Sequence, residues 1–416
     1  MTGTGGSMTA TAPTALAELE AFATGANAQD PYPIFARLRA EAPVVWSEPL
    51  QAWLVTGWAE VTRGFKDAET FGPLTAGAGS SAIYGRTILH MSGDEHRRKA
   101  AIVARRIRNR RELRGTLRER ISALVDELGA ELPEAPGVAD IRAGLTTPLP
   151  LTVIAELTTM HEAVNFPQWY HDLAGASVSN VSRDPAVHAR GVQAREEIDA
   201  WLDPAITRKR ADPGDDLLSD LCTVEYEGQR LSDTEIKSNT AFFLAAGIET
   251  TDRALVNLLG GLIRHPEQWE RLRSDPALVP SAVAEVLRWK APVQGSVRQA
   301  LVDASLGGAS IAAGEKLILL LGAANRDPAV FPDPDTFDVG RFAENADPQF
   351  TPVGPLRAFG GGEHTCSGSL LAKLEMELAL EHLLRRYRRL SFAGDPPVDA
   401  GFMLRSAPSL HLALHP

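Results

Sequence analysis

The chain has 416 residues, 44% of them hydrophobic and 23% charged, which is the composition of a globular protein with ample core and not of a disordered or low-complexity one. A formal net charge of −11 argues against a general nucleic-acid binder, because such proteins need a basic surface to displace phosphate counterions. The two cysteines, Cys222 and Cys366, stand far apart and give no sign of a disulfide framework, so a reducing cytoplasmic location is expected.

Residues 1–27 are rich in Ala, Thr and Gly, without a basic start or a long apolar run. They read as a flexible segment, neither signal peptide nor membrane anchor. No linker or fixed-period repeat divides the remaining residues, so 28–416 reads as one domain. An early hairpin is predicted from the short apolar runs at 44–46 and 52–55. Between Arg97 and Arg120 Arg and Lys recur with Glu112 and Glu119 as the only acidic residues, a local basic face on an acidic chain. Apolar residues at intervals of three and four predict helices over 117–132, 191–208, 233–264, 280–289 and 369–389. Strands are expected at 297–301, before the Gly307-Gly308 turn, and at 316–321, whereas the Pro, Asp and Gly content of 325–355 predicts ordered coil. The sum is a mostly α fold with small β-sheets.

The helix over 233–264 opens on Ser232-Asp233-Thr234-Glu235, the pattern of a capping box, and stops before His265-Pro266. Its stretch 241–248 is apolar all round and should cross the core. Glu249 and Thr250 come directly after it. A carboxylate there is costly unless it is paired, hydrogen-bonded or functional, and a threonine there can bond back to the preceding turn and kink the helix.

The stretch 359–368 is the most informative in the chain, because a Gly-rich coil delivers Cys366 to the start of a helix. Free N–H groups and the positive end of the helix dipole are expected to lower the thiol pKa and suit it to bind a metal. Taken alone, a single cysteine at a helix start is most often a buried structural residue. A dinucleotide fingerprint fails because Thr365 stands where a third glycine belongs and a Pro-rich coil precedes. A zinc site fails for want of several Cys or His at short spacing.

Phe359, Gly360, Gly362, His364, Cys366 and Gly368 match Phe-Gly-x-Gly-x-His-x-Cys-x-Gly, the cysteine-ligand signature of the cytochrome P450 family, which this chain resembles. Glu285 and Arg288 match the family's Glu-x-x-Arg pair, 337–341 resembles the coil that supplies a third partner, Arg341, and Ala246-Gly247-Ile248-Glu249-Thr250-Thr251 resembles the oxygen-activating helix motif. On a bare sequence Glu285 and Arg288 would read as surface neighbours on a helix. The resemblance gives them, with Arg341, a structural role that ties the core helix to the coil positioning Cys366.

What the resemblance implies is a bacterial-type P450 fold holding one b-type haem, iron protoporphyrin IX, with Cys366 on the iron and Phe359 and Gly360 in the loop around it. It places His96, Arg298 and His364 at the haem propionates. Ala246 and Gly247 make room for dioxygen, and Glu249 and Thr250 organise the water that protonates it. The implied reaction is NAD(P)H-driven monooxygenation, such as hydroxylation or epoxidation, of an apolar or amphipathic small molecule in natural-product metabolism. The chain carries no flavin or iron–sulfur motif, so electrons are expected from separate proteins, and the basic run suits an acidic ferredoxin served by its reductase. Substrate contacts are expected from 71–89, 164–187, 242–246, 293–297 and 401–404. Many relatives carry arginine where Ala100 stands, which leaves Arg97 or Arg98 to replace it, and Ser367 takes a place usually held by leucine. Ile248, beside the oxygen site, sits at a position that often varies with substrate. A peroxide-driven peroxygenase and a haem protein that binds gas without turnover are the rival readings, and Glu249 with Thr250 argues against both.

Overall fold

Helices carry most of the chain, and the short strands gather into small sheets at its flanks. The structure, a computed structural model, describes residues 14–25, 30–74, 81–176 and 184–416. The predicted hairpin forms from Val44–Ser47 and Ala52–Val55, paired antiparallel with Val45 opposite Leu54. It continues into a five-stranded sheet through Lys316–Leu320, Gly295–Ala300 and Phe71–Gly72. The pairing of Ala52–Val55 with Lys316–Leu320 is parallel, which binds the N-terminal part to a strand far down the chain. Ala304–Leu306 and Ala309–Ile311 form a two-stranded ribbon around Gly307 and Gly308, whose φ values of 56° and 83° call for glycine. A third sheet, in the order Gly137–Asp140, His411–His415, Arg389–Phe392, joins strands that the alternation of the sequence did not reveal.

The central helix Asp233–Arg264 has the predicted bounds. Its capping box closes both ways: Glu235 N donates to Ser232 Oγ at 3.3 Å, and Ser232 N donates to Glu235 Oε2 at 2.8 Å. At 1.5 Å per residue it spans about 48 Å, and Ala241, Leu244, Ala245 and Ile248 are buried along the run expected to cross the core. Thr116–Glu131, Pro185–Ala211 and Val279–Trp289 answer the other predicted helices. The helix expected over 369–389 is Ser369–Arg386, shorter because Arg389 opens the strand that pairs with His411–His415.

One expectation is corrected at the N-terminus. Within the segment 1–27 read as flexible, Thr14–Thr24 is a helix that buries Ala15, Leu16, Leu19, Phe22 and Ala23. Phe22 meets Phe402 edge-on, ring centroids 6.0 Å apart. An Ala- and Thr-rich composition hid this apolar stripe, while residues 1–13 and 26–27 lie outside the described part.

Beneath the site, Glu285 and Arg288 are both fully buried and form a two-pronged pair at 2.7 and 2.8 Å. Arg341 reaches the same carboxylate at 3.1 Å, and Asp338 N donates to it at 3.0 Å. Arg288 also donates to the carbonyls of Pro334 and Thr336 in the coil. The coil is thereby fixed to the helix Val279–Trp289, the structural role the sequence pattern implied. Removing one partner of such a buried pair costs about 3–5 kcal/mol, because the other charge is left uncompensated.

Candidate active site

A cavity of about 1640 Å³ separates the central helix from the loop carrying Cys366 and extends toward the five-stranded sheet. That volume exceeds the roughly 300–1,000 Å³ that accommodates one drug-sized molecule.

The lower wall is mostly backbone. Gly360 and Gly362 adopt φ of 73° and 65°, conformations that side chains rarely take. A Cβ at Gly362 would also collide with the Phe65 carbonyl oxygen, so the loop lies directly against the helix Trp58–Lys66. Cys366 N donates to Phe359 O at 3.0 Å and closes the loop. Cys366 sits deep in the protein yet keeps exposed surface, because its side chain faces the cavity. Burial pushes its thiol pKa up, against the opposing pull of the Gly368 N–H, the Arg108 charge and the Ser369 N–H. The lowered pKa expected from the helix start is therefore overturned: the N–H groups are present, but in the free thiol desolvation outweighs them.

On the upper wall, Ala246, Gly247, Glu249 and Thr250 all border the cavity. Thr250 Oγ1 donates to Ala246 O at 2.7 Å and Thr251 Oγ1 to Gly247 O at 3.2 Å, the back-bonding that a threonine makes inside a helix. Glu249, 8% exposed, receives Arg253 Nη2 at 2.6 Å on Oε1, and Arg253 reaches on to Ser406 Oγ at 3.3 Å. A side chain at Gly247 would meet Ile154 Cδ1 at 2.7 Å. The Ile154 side chain on the helix Pro148–Leu157 would have to shift to admit a larger residue, so the packing favours a glycine there independently of any ligand.

At one edge His96 and His364 pack with ring centroids 4.2 Å apart. His364 Nε2 is buried and makes no hydrogen bond, and burial with the nearby His96 and Arg298 charges pushes the ring pKa down to about 3. Arg298 lies over the Phe65 ring, 4.8 Å from its centroid, and burial lowers its pKa to about 10. Among the described residues no carboxylate comes within ion-pair distance of it; it donates to Val297 O at 2.9 Å and more loosely to Ser296 Oγ. Ala100 borders the same cavity, and neither proposed substitute is free: Arg97 makes two bonds of 2.6 and 2.7 Å to Glu227, and Arg98 reaches the same carboxylate at 3.3 Å. Ser367, expected beside the thiol, lines the cavity next to it.

The Cytochrome P450 family description matches residues 173–412. This chain belongs to the cytochrome P450 family. It is 34% identical over 387 residues to the cytochrome P450 monooxygenase PikC of Streptomyces venezuelae, covering 89% of this chain and 86% of that protein. Pulcherriminic acid synthase of Bacillus subtilis is 30% identical, with 92% of this chain and 95% of that one covered. Among solved structures, P450 CYP109Q5 from Chondromyces apiculatus superposes with a TM-score of 0.82 at 29% identity, covering 93% of this chain and 96% of the other. The protein is thus a P450 monooxygenase of bacterial type with the mostly helical P450 fold, and family membership implies a haem cofactor. No helix among the described residues is long and apolar enough to cross a membrane.

Of the segments expected to touch substrate in this P450, Leu89, Phe242, Val293, Val297, Met403 and Leu404 line the cavity. From 164–187 only Ala176 does so among the described residues, since 177–183, like 75–80, falls outside them. Sequence reasoning missed three residues of this site. Arg253 was legible as the i+4 partner of Glu249. Arg108 was read, with Arg105 and Arg106, as part of the basic docking face and not as a neighbour of the cysteine loop. Glu375, on the buried face of the helix Ser369–Arg386, is 1% exposed, borders the cavity and has no partner for Oε2. Burial alone raises its pKa well above the usual carboxylate range, which favours the neutral acid. A lone glutamate between Leu374 and Leu378 on an apolar face was the available signal.

Proposed function

We propose that Cys366 ligates the iron of a b-type haem in this cavity, and that the enzyme oxygenates an apolar or amphipathic small molecule on the side of the central helix. The observation that carries the reading is the Cys366 thiol facing a cavity large enough for the cofactor and a second molecule. The donor set fits the cofactor: one thiol for a metal, and at the edge a buried His364 Nε2 that makes no hydrogen bond, with Glu363 Oε1 3.4 Å away, and an Arg298 without a carboxylate partner, both suited with His96 to hold carboxylates. Phe359 and Gly360 shape the loop around the thiol. When bound, haem supplies the activation of dioxygen by electrons delivered from outside.

The chain's own residues do the rest. Gly368 and Ser369 N–H groups point to the sulfur and favour its thiolate once metal coordination offsets desolvation. Thr250 spends its one O–H on Ala246 O, so its remaining lone pairs can accept a hydrogen bond from a water in the cavity and orient it. Glu249, held by Arg253, would accept a hydrogen bond from the same water and relay protons through it, and Ala246 and Gly247 keep the wall low beside it. This pair favours oxygenation over a peroxide-driven reaction or simple gas binding. The whole forms one haem domain that includes the helix Thr14–Thr24.

Apolar lining from Leu89, Phe242, Val293 and Leu404 supports an apolar substrate. Relatives named for steroid C26 oxidation, and a related structure in complex with testosterone, support the same class and a role in the metabolism of such compounds. Electrons would come from NAD(P)H through a reductase and an acidic ferredoxin in the cytoplasm. Arg110, Arg111 and Arg114 are exposed and have no ion-pair partner among the described residues, so they are the free part of the basic face. Arg106, by contrast, is spent on Asp215, Asp220 and Glu112. Reversing those three exposed charges to Glu should slow ferredoxin-dependent turnover and flatten its salt dependence. The deciding experiment is a screen of apolar metabolites against the haem-loaded enzyme, read as a shift of the haem absorption band. Binding confined to charged solutes would overturn the substrate class, and a reduced carbon monoxide complex without the red-shifted thiolate band would overturn the ligand.

A further inference from the structure

The basic run 97–120 dissolves, in three dimensions, into cations with different tasks. Arg97 and Arg98 are taken by Glu227, Lys99 by Glu235, Arg106 by three carboxylates, Arg118 by Glu381 and Arg120 by Glu156 and Glu127. Arg105 is exposed and leans toward Asp220 at 3.9 Å. Among the described residues, Arg108 is the one member of the run that borders the cavity and has no carboxylate partner. Its Nη2 donates at 3.0 Å to the carbonyl of Thr365, the residue immediately before Cys366. The bond holds a planar cation on the backbone of the cysteine loop, on the cavity that Cys366 and His96 also line. Facing the same cavity, position 100 offers only a methyl group.

We propose that Arg108 is a positioning residue that fixes one positive charge on the thiolate side of the haem site, stabilising the Cys366 thiolate and raising the reduction potential of the iron. The inference rests on the reading of Cys366 as the ligand. Reduction adds one electron to the iron–thiolate unit, so a fixed cation stabilises the reduced state more than the oxidised one, and removing it must lower the potential. Charge and hydrogen bond can be separated. Arg108→Gln keeps an amide N–H for Thr365 O and loses the charge, whereas Arg108→Lys keeps the charge and loses the fork.

The test is an anaerobic spectroelectrochemical titration of the purified holoenzyme, substrate-free, with the carbon monoxide spectrum recorded on the same samples. Arg108→Gln should shift the midpoint potential downward, Arg108→Lys should stay near the wild type, and Arg105→Gln, a cation of the same run that does not line the cavity, should leave it unmoved. Loss of the red-shifted carbon monoxide band in Arg108→Gln but not in Arg108→Lys would also support the proposal, since the charge would then be what holds the thiolate. A wild-type potential in Arg108→Gln overturns it. Equal changes in potential or band in the Gln and Lys variants overturn it too, because the guanidinium hydrogen bond and not the charge would be responsible. A wild-type enzyme that lacks the red-shifted band sinks the ligand reading itself, a result distinct from all of these.

Discussion

On the cysteine side of the cavity the wall is made of backbone: two glycines at positive φ, a loop closed by Cys366 N on Phe359 O, and a close approach to the Phe65 carbonyl. On the central helix the wall is made of side chains, Glu249 held by Arg253 and Thr250 bonded to its own helix, on a backbone that is ordinary α-helix. A backbone wall cannot be adjusted by exchanging one side chain, so it fixes where the thiol stands. A side-chain wall can be altered residue by residue without moving the frame. The first should be intolerant and the second tunable.

The largest expected effect is at the fixed wall. Cys366→Ala should abolish the red-shifted carbon monoxide band outright, while Cys222→Ala, outside the cavity lining, should leave it untouched; a band that shifts equally in both variants would contradict the asymmetry. Next comes the loop itself. Gly362→Ala must accommodate both a positive φ and a collision with Phe65 O, which should cost about 3 kcal/mol or more in unfolding free energy and reduce haem retention. Gly308→Ala has a positive φ but open space, so about 1 kcal/mol is expected there. Thermal unfolding of the two variants side by side isolates the contact from the conformation.

At the tunable wall the frame should survive. Thr250→Ala should bind substrate and consume reducing equivalents, yet release more peroxide, with product formation lowered by up to roughly 100-fold, the low end of what positioned proton transfer contributes. Unchanged coupling between electrons and product would remove Thr250 from proton delivery.

Glu375 gives the smallest effect and a pH signature. Burial favours the neutral carboxyl in the folded protein, while in the unfolded chain it ionises near its ordinary value of 4.5. Stability from this site is therefore full below that value and falls as pH rises toward the raised folded pKa. Glu375→Gln should remove that slope and stabilise the protein at neutral pH by about 1 kcal/mol or more. Denaturant unfolding at acid and neutral pH measures it, and a variant less stable at neutral pH would mean that an ionised Glu375 has a partner.

Legibility tracked sequence distance. The central helix was readable to its ends because a capping box and a His-Pro stop are local signals. Cys366 and His364 were readable because their spacing within one loop is the signal. The N-terminal helix and the strands Gly137–Asp140 and His411–His415 were not, since they are stabilised by partners far along the chain. The same reason hid the division of the basic run. Nothing around Arg97 or Arg106 announces that Glu227 or Asp215 will come to meet them, or that Arg108 will be left to the cysteine loop. The thiol pKa went the wrong way because a helix start can be read from spacing, and the depth of its burial cannot.

The packing of Phe22 against Phe402 has a practical side. Ala23 and Met403, the next residue along from each ring, both line the cavity, so the opening turns of the chain are one layer of side chains away from whatever the enzyme holds. Anyone who trims this protein to residue 30 is remodelling the substrate chamber as well as the terminus.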